Sequence, residues 1–312
     1  MIIRWPWSDP SEAAIDCRAL GTPRRAERSV EALAAYLTRR LDDERDRVRA
    51  IFRWITENIA YDTHGLVTKS YGDLSARGVL SRRAAVCHGY AELFQALAKA
   101  AGLAAVTISG YAKGYNYEVG STFSGEPDHA WNAVQVRGHW RLLDCTWGTG
   151  HVDEQMRFIR EFNEHYFLTR PTEFIYDHFP VDPGWQLLET RISKQEFEER
   201  AHVKSSFFRN KLELVSHWKG IITVSGEVVV TLRSSAEVAL LAKLRHQGNE
   251  GKPVSLTIEE VGQHHKIRIP NLEPGEYILR VYAKPRTQSG PYHWALDYKI
   301  EAPPGLKGAS IH

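Results

Sequence analysis

The sequence predicts an α+β protein: helices first, then antiparallel strands, then a separate β-sandwich. Three observations carry this expectation. Apolar residues recur at helical spacing between Ser29 and Ala101, the period shortens to strand alternation between Ala105 and Asp144, and from about residue 205 short β runs alternate with Gly, Pro and Asn turns. Helices grouped ahead of strands argue against an alternating βαβ order and its parallel sheet.

Taken in order, residues 1–25 carry Pro6, Pro10, Gly21 and Pro23 and read as an irregular lead-in. Ser29 is placed to cap a helix whose apolar face is Val30, Leu33, Ala34, Leu37 and Leu41. Asp42 and Asp43 open a second helix with Val48, Ile51, Phe52 and Ile55 on one side. Asn58 to Ser81 is polar and Gly-containing and reads as a long connection that covers a site. A third helix opens near Cys87, runs through Tyr90, Leu93, Phe94 and Leu97 to Ala101, and stops at Gly102. Ala105 to Gly110 is a strand and Lys113 to Pro127 a loop. His129 to Val136 and His139 to Asp144 form a hairpin about Arg137-Gly138. The aromatic segment Asn163 to Leu188 wraps the surface, and Ser193-Lys-Gln-Glu196 is a capping box for a short helix. The expected division is a first domain over 1–204, an immunoglobulin-like β-sandwich over 205–303 and a frayed tail over 304–312.

Composition narrows the function. Hydrophobic content of 43% and charged content of 25% fit a globular chain. A net charge of +2 gives no pull toward nucleic acid or an anionic membrane. Cys17, Cys87 and Cys145 are too few and too scattered for a disulfide framework or a four-thiolate metal site, which suits a reducing compartment. The opening MIIRWPWSDPSEAA lacks the apolar core of a signal peptide, and no stretch is apolar enough to span a bilayer, so a cytoplasmic setting is expected. No cofactor or metal is expected. There is no EF-hand loop, and His264-His265 is a poor chelate because neighbours on a strand point to opposite faces.

Chemistry concentrates at Cys87 in AVCHGYAELFQAL, His129 in DHAWNAV and Asp144 in WRLLDCTWG. A thiol at a helix N-terminus is favoured as thiolate by the partial positive charge there, and an imidazolium favours it further. His129 would share the proton and pass it to a leaving amine, while Asp144 would fix the ring's tautomer. If Val136 faces His139 across the turn, Asp144 lies diagonally from His129 on one sheet face; a one-residue slip would separate them. The Cys87 amide would begin an oxyanion hole, with Trp54 or Tyr61 as a second donor. Read singly, each of these residues is an ordinary core thiol or hydrogen-bond partner; the ordered set is what points to acyl transfer.

These segments resemble the transglutaminase-like superfamily, in the branch of kyphoscoliosis peptidase and the cytokinesis-associated transglutaminase-like proteins. The likeness lies in RVRAIFRWITENIAYDTHG, GVLSRRAAVCHGYAELFQALAKAAGL, HAWNAVQVRGHWRLLDCTWGTG and HYFLTRPTEFIYDHFPVDPGWQLL, about residues 45–190. It implies a papain-like core with Cys87 as nucleophile, His129 as base and Asp144 as orienter. It also implies action on protein or peptide amides by hydrolysis or by acyl transfer to an amine. Some members of the family have lost the triad and act as scaffolds, so a non-catalytic interaction module is the alternative, with the sandwich offering a surface for a protein partner. Where the family often has Ala after the Asp, this chain has Cys145, expected to point into the core. An arylamine acetyltransferase uses a similar triad, but the chain has no Gly-rich phosphate loop or basic pocket for its coenzyme.

Overall fold

Helix α1 (Glu12–Leu20) forms where the sequence reads as irregular. Its stripe is thin, burying only Ile15 and Ala19, and Ser11 caps it. What holds it is distant: the Asp16 carboxylate accepts two 2.8 Å bonds from Arg49, a guanidinium only 4% exposed. The computed structural model describes residues 11–234, 237–248 and 253–304; the start of the expected lead-in and most of the expected tail lie outside them. The chain divides into two units. Among the described residues, one is built from 11–112, 126–174 and 180–191, the other from 113–125, 175–179 and 192–304.

In the first unit the capped helices follow their sequence signals. Ser29 Oγ accepts the Ala32 amide ahead of α2 (Val30–Leu37), and Asp43 Oδ1 accepts the Arg45 amide ahead of α3 (Glu44–Asn58). Val48, Ile51, Phe52 and Ile55 of α3 are fully buried. The expected long connection is instead structured. A bridge β1 (Ala60–Tyr61) pairs in parallel with β2 (Ala84–Ala85), and helices α4 (Thr63–Thr68) and α5 (Ala76–Arg82) lie between them. Both helices are short and carry Gly65 and Gly78, so propensity is against them. The side chains of Asp62 and Ser75 offset this by accepting those glycines' amides.

Helix α6 (Cys87–Ala100) is the spine of the unit. It buries Tyr90, Leu93, Phe94 and Leu97, side chains that each stabilise by about 1.5–3 kcal/mol relative to exposure. Gly102 at φ +75° ends it, in a conformation other residues adopt at a cost. Strands β3 (Ala105–Ala112), β4 (His129–Val136) and β5 (His139–Leu143) form an antiparallel sheet in the order β5–β4–β3. Val136 faces His139 across the turn as expected, and Arg137 and Gly138, at φ +52° and +78°, supply the left-handed pair that a two-residue hairpin turn needs. β5 ends one residue earlier than the sequence suggests. Asp144 does not continue the strand; it caps α7 (Cys145–Thr149). Cys145 is therefore buried because it opens a helix, not because a strand alternates.

The second unit is a β-sandwich with its own core, including Val230, Leu232, Ile267, Leu279, Val281, Leu296 and Tyr298. One sheet joins Glu213–Leu214, Val228–Arg233, His264–Ile269 and Ile258–Val261. The other joins Ile221–Thr223, His293–Ala302, Gly275–Pro285, Val238–His246 and Val254–Ser255. The pairings are antiparallel except that Ile221–Thr223 runs parallel to Lys299–Glu301. His264 and His265 stand opposite Arg233 and Leu232 on successive strand positions. His265 Nε2 lies 2.6 Å from Ser234 Oγ. Among the described residues no helix is long and apolar enough to cross a membrane.

Lys113 is a costly group in this unit. Its side chain is fully buried, its ammonium donates to the Arg200 carbonyl at 2.9 Å, and the rings of Phe197 and Tyr117 lie 4.8 and 5.0 Å away. Burial pushes its pKa down to about 7, against the pull of the Asp177 charge and with the push of Arg200. The unfolded chain keeps this lysine protonated up to about 10.4, so it binds more protons than the folded chain between these values and stability rises with pH across them. Lys113→Met is expected to stabilise the protein by about 1–3 kcal/mol at pH 6. The gain should shrink as pH climbs from about 7 to about 10.4, measured as the difference between paired urea titrations.

Candidate active site

Cys87 owes its position to the entry into α6. The parallel bridge sets Tyr61 opposite Ala85, two residues before the thiol, and the Asp62 amide donates to the Ala85 carbonyl at 3.0 Å. Gly89 is required just behind: a Cβ there would lie 2.7 Å from Ala85 and 2.9 Å from Val79, so α6 starts hard against β2 and α5. Val86 at the N-cap makes no side-chain capping bond. The first-turn amides of α6 thus have no acceptor within the helix, and the helix presents its positive end at the thiol. Cys87 is half-buried, whereas Cys17 is exposed and Cys145 buried.

His129 opens β4, where it pairs with Gly110 of β3. Three residues on, the fully buried Asn132 donates from Nδ2 to the Ala91 carbonyl of α6 at 3.0 Å and to the Val106 carbonyl of β3 at 3.2 Å. That amide ties the strand carrying His129 to the first turns of the helix carrying Cys87. Sequence reasoning missed Asn132; the signal was an amide amid the apolar run HAWNAV.

Asp144 is fully buried and its two oxygens are divided between two tasks. Oδ1 accepts the amides of Thr146 at 2.7 Å and Trp147 at 3.1 Å, capping α7, and Oδ2 lies 2.7 Å from His129 Nε2. Its own amide donates to the Tyr166 carbonyl at 3.1 Å. α7 in turn is seated on α3: a Cβ on Gly148 would come within 2.4 Å of the Phe52 ring, and Thr149 Oγ1 donates to the Thr56 carbonyl. The expectation that Asp144 reaches His129 is met, though from a helix cap and not from a strand.

The charges couple. Burial works against a charged His129 ring, but the charge and hydrogen bond of Asp144, with a smaller share from Cys87, lift it to about 10. Burial likewise pushes the Cys87 thiol up, yet the hydrogen bond and charge of His129 and the Ala130 amide outweigh it, and the net shift is downward. With Nε2 committed to Asp144, Nδ1 is the nitrogen left for the sulfur. Of the two expected second donors for an oxyanion, Trp54 is fully buried beneath the Arg83 guanidinium, which lies 4.7 Å from its ring. Tyr61 remains half-buried, and burial together with the nearby charges of Cys87 and Asp144 keeps its hydroxyl protonated well above the usual range. Cys145, beside Asp144, is pushed up by burial and stays a neutral thiol.

Comparison with known proteins follows the same segments. Residues 31–145, α2 through the start of α7, match the model of the transglutaminase-like superfamily, and residues 194–307 match a KY-like, immunoglobulin-like domain. The chain carries a transglutaminase-like core joined to a KY-like, immunoglobulin-like domain. It is 36% identical to kyphoscoliosis peptidase of Mus musculus over 272 residues, covering 86% of this chain and 40% of that protein. It is 32% identical to hillarin of Drosophila melanogaster over 236 residues, covering 71% of this chain and 28% of that protein. Cytokinesis protein 3 of Schizosaccharomyces pombe is 26% identical over 193 residues, covering 62% of this chain and 21% of that protein. The chain thus spans less than half the length of these superfamily relatives.

The divided carboxylate gives a direct test. Asp144→Asn keeps an acceptor for the α7 amides but removes the charge beside His129, whereas Asp144→Ala removes both. The alanine variant is expected to be less stable than the asparagine variant by about 1 kcal/mol in chemical denaturation. Both should drop the His129 pKa from about 10, read by NMR titration of the ring. Because the folded pKa is raised, the stability this pairing contributes is complete below about 6.5. The gap between wild type and Asp144→Asn should therefore narrow as pH rises from about 6.5 to about 10.

Proposed function

We propose that this chain is a thiol enzyme acting on protein or peptide amides, with Cys87 as nucleophile, His129 as acid and base, and Asp144 as the residue that orients the ring. The observation that carries the reading is the 2.7 Å contact between His129 Nε2 and Asp144 Oδ2, on a ring whose other side is hydrogen-bonded to a thiol at the head of α6. The Cys87 sulfur adds to the amide carbonyl, and the developing oxyanion faces the first-turn amides of α6. His129 gives its proton to the departing amine, the C–N bond breaks, and a thioester remains on Cys87. Water, deprotonated by His129, then attacks the thioester and releases the acid; in this reading hydrolysis leads. A primary amine attacking the same thioester gives cross-linking instead.

The alternative reading is a non-catalytic scaffold with a vestigial or covered triad, whose sandwich binds a protein partner. Alkylation separates the two. With peptide mapping to distinguish Cys87 from exposed Cys17, iodoacetamide is expected to modify Cys87 well below the pH of an ordinary thiol, about 8.5. His129→Ala should abolish that early reactivity. Equal, ordinary titration in both proteins would remove the activated nucleophile. Incubation with peptides and with a labelled primary amine then sorts the acceptors: Cys87-dependent cleavage alone supports hydrolysis, and Cys87-dependent amine incorporation supports transfer.

A further inference from the structure

Two indole rings lie against His129. Trp131, two residues along β4 and 1% exposed, sits with its ring centroid 6.0 Å from the imidazole and its plane inclined by 28°. Trp147, from α7 and only partly buried, is closer, at 5.3 Å and 36°. Both rings are nearer parallel than perpendicular to the imidazole, offset-stacked at these separations. Burial alone would discharge this ring. A π face adds little to a neutral imidazole but attracts an imidazolium through the ring quadrupole.

Trp147 is also held where it stands. Its backbone amide donates to Asp144 Oδ1 at 3.1 Å, and its ring meets Tyr166 edge-on at 5.4 Å and 86°. Tyr166 in turn accepts the Asp144 amide through its carbonyl. One residue therefore caps with the carboxylate through its main chain and walls the carboxylate's partner through its side chain. A half-buried indole beside the His129–Asp144 bond also thins the water there, and a lower local dielectric strengthens the attraction between the two charges.

We propose that Trp147 is a positioning residue that holds His129 as imidazolium, and thereby holds Cys87 as thiolate, in the resting site. It acts through His129, against which its ring is packed. Among the described residues of this unit, the titratable groups acting on the ring include Cys87 from the head of α6 and Asp144 from the cap of α7, and Tyr61 of β1 senses the same thiol and carboxylate. The inference deepens the thiol-enzyme reading and rests on it for its consequence in catalysis, but its electrostatic content can be measured without substrate.

The test follows two titrations in the full chain: the His129 ring by NMR, and the Cys87 thiol by the pH dependence of alkylation. Trp147→Leu is expected to lower the imidazole pKa and raise the thiol pKa by about one unit each, a roughly tenfold loss of ion pair where the thiol titrates. Trp147→Phe, which keeps a smaller π face, should fall between. Fluorinated tryptophans introduced at position 147 alone keep the shape and withdraw charge from the ring face, so the shifts should grow with each added fluorine. Folded variants whose two titrations match wild type would overturn the proposal. Should the leucine variant fail to fold, the fluorinated series decides alone. If wild-type Cys87 titrates as an ordinary thiol, the thiol-enzyme reading fails, while the His129 titration still decides what Trp147 does.

Discussion

The site depends on how one buried carboxylate spends its two oxygens. Asp144 Oδ1 is saturated by the first amides of α7, and that leaves Oδ2 aimed at His129 Nε2. A free carboxylate at the end of a strand would rotate. One fixed by a helix cap does not, and the cap itself is locked by Gly148 and Thr149 against α3. The orientation of the imidazole is therefore inherited from the packing of a five-residue helix on a fifteen-residue one.

The second half of the geometry is the distance between strand and helix. Asn132 joins β4 to the Ala91 carbonyl of α6 and the Val106 carbonyl of β3. Its position in the fully buried layer makes the bond worth more than its surface counterpart, since an unmade partner there would have no water to turn to. Gly89 and the β1–β2 bridge hold the other end of the same span. Cys87 and His129 thus meet because polar ties at fixed positions interrupt an otherwise apolar interface.

Local signals in the chain were sufficient where a capping side chain and an apolar stripe coincide. Ser29, Asp43 and Gly102 mark real helix ends, and Arg137-Gly138 sets the hairpin register that brings Asp144 toward His129. They were insufficient where stability comes from afar. α1 has too thin a stripe to be read and is secured by Arg49, and α4 and α5 contain glycines that argue against helix until their Asp62 and Ser75 caps are seen. α7 was hidden because LLDC continues the strand alternation until the Asp144 side chain captures the next amides. The residue types of the candidate site were legible; Asn132 was not, because its partners lie on other elements.

The two roles of Asp144 bear on how a lineage of such chains can drift. Loss of the thiol leaves the fold's hydrogen bonds nearly intact, so it can disappear once chemistry is no longer selected. The carboxylate cannot leave so freely, because α7 would lose its cap. A descendant that has become a scaffold should then still carry the aspartate, and its presence there records the helix, not the reaction.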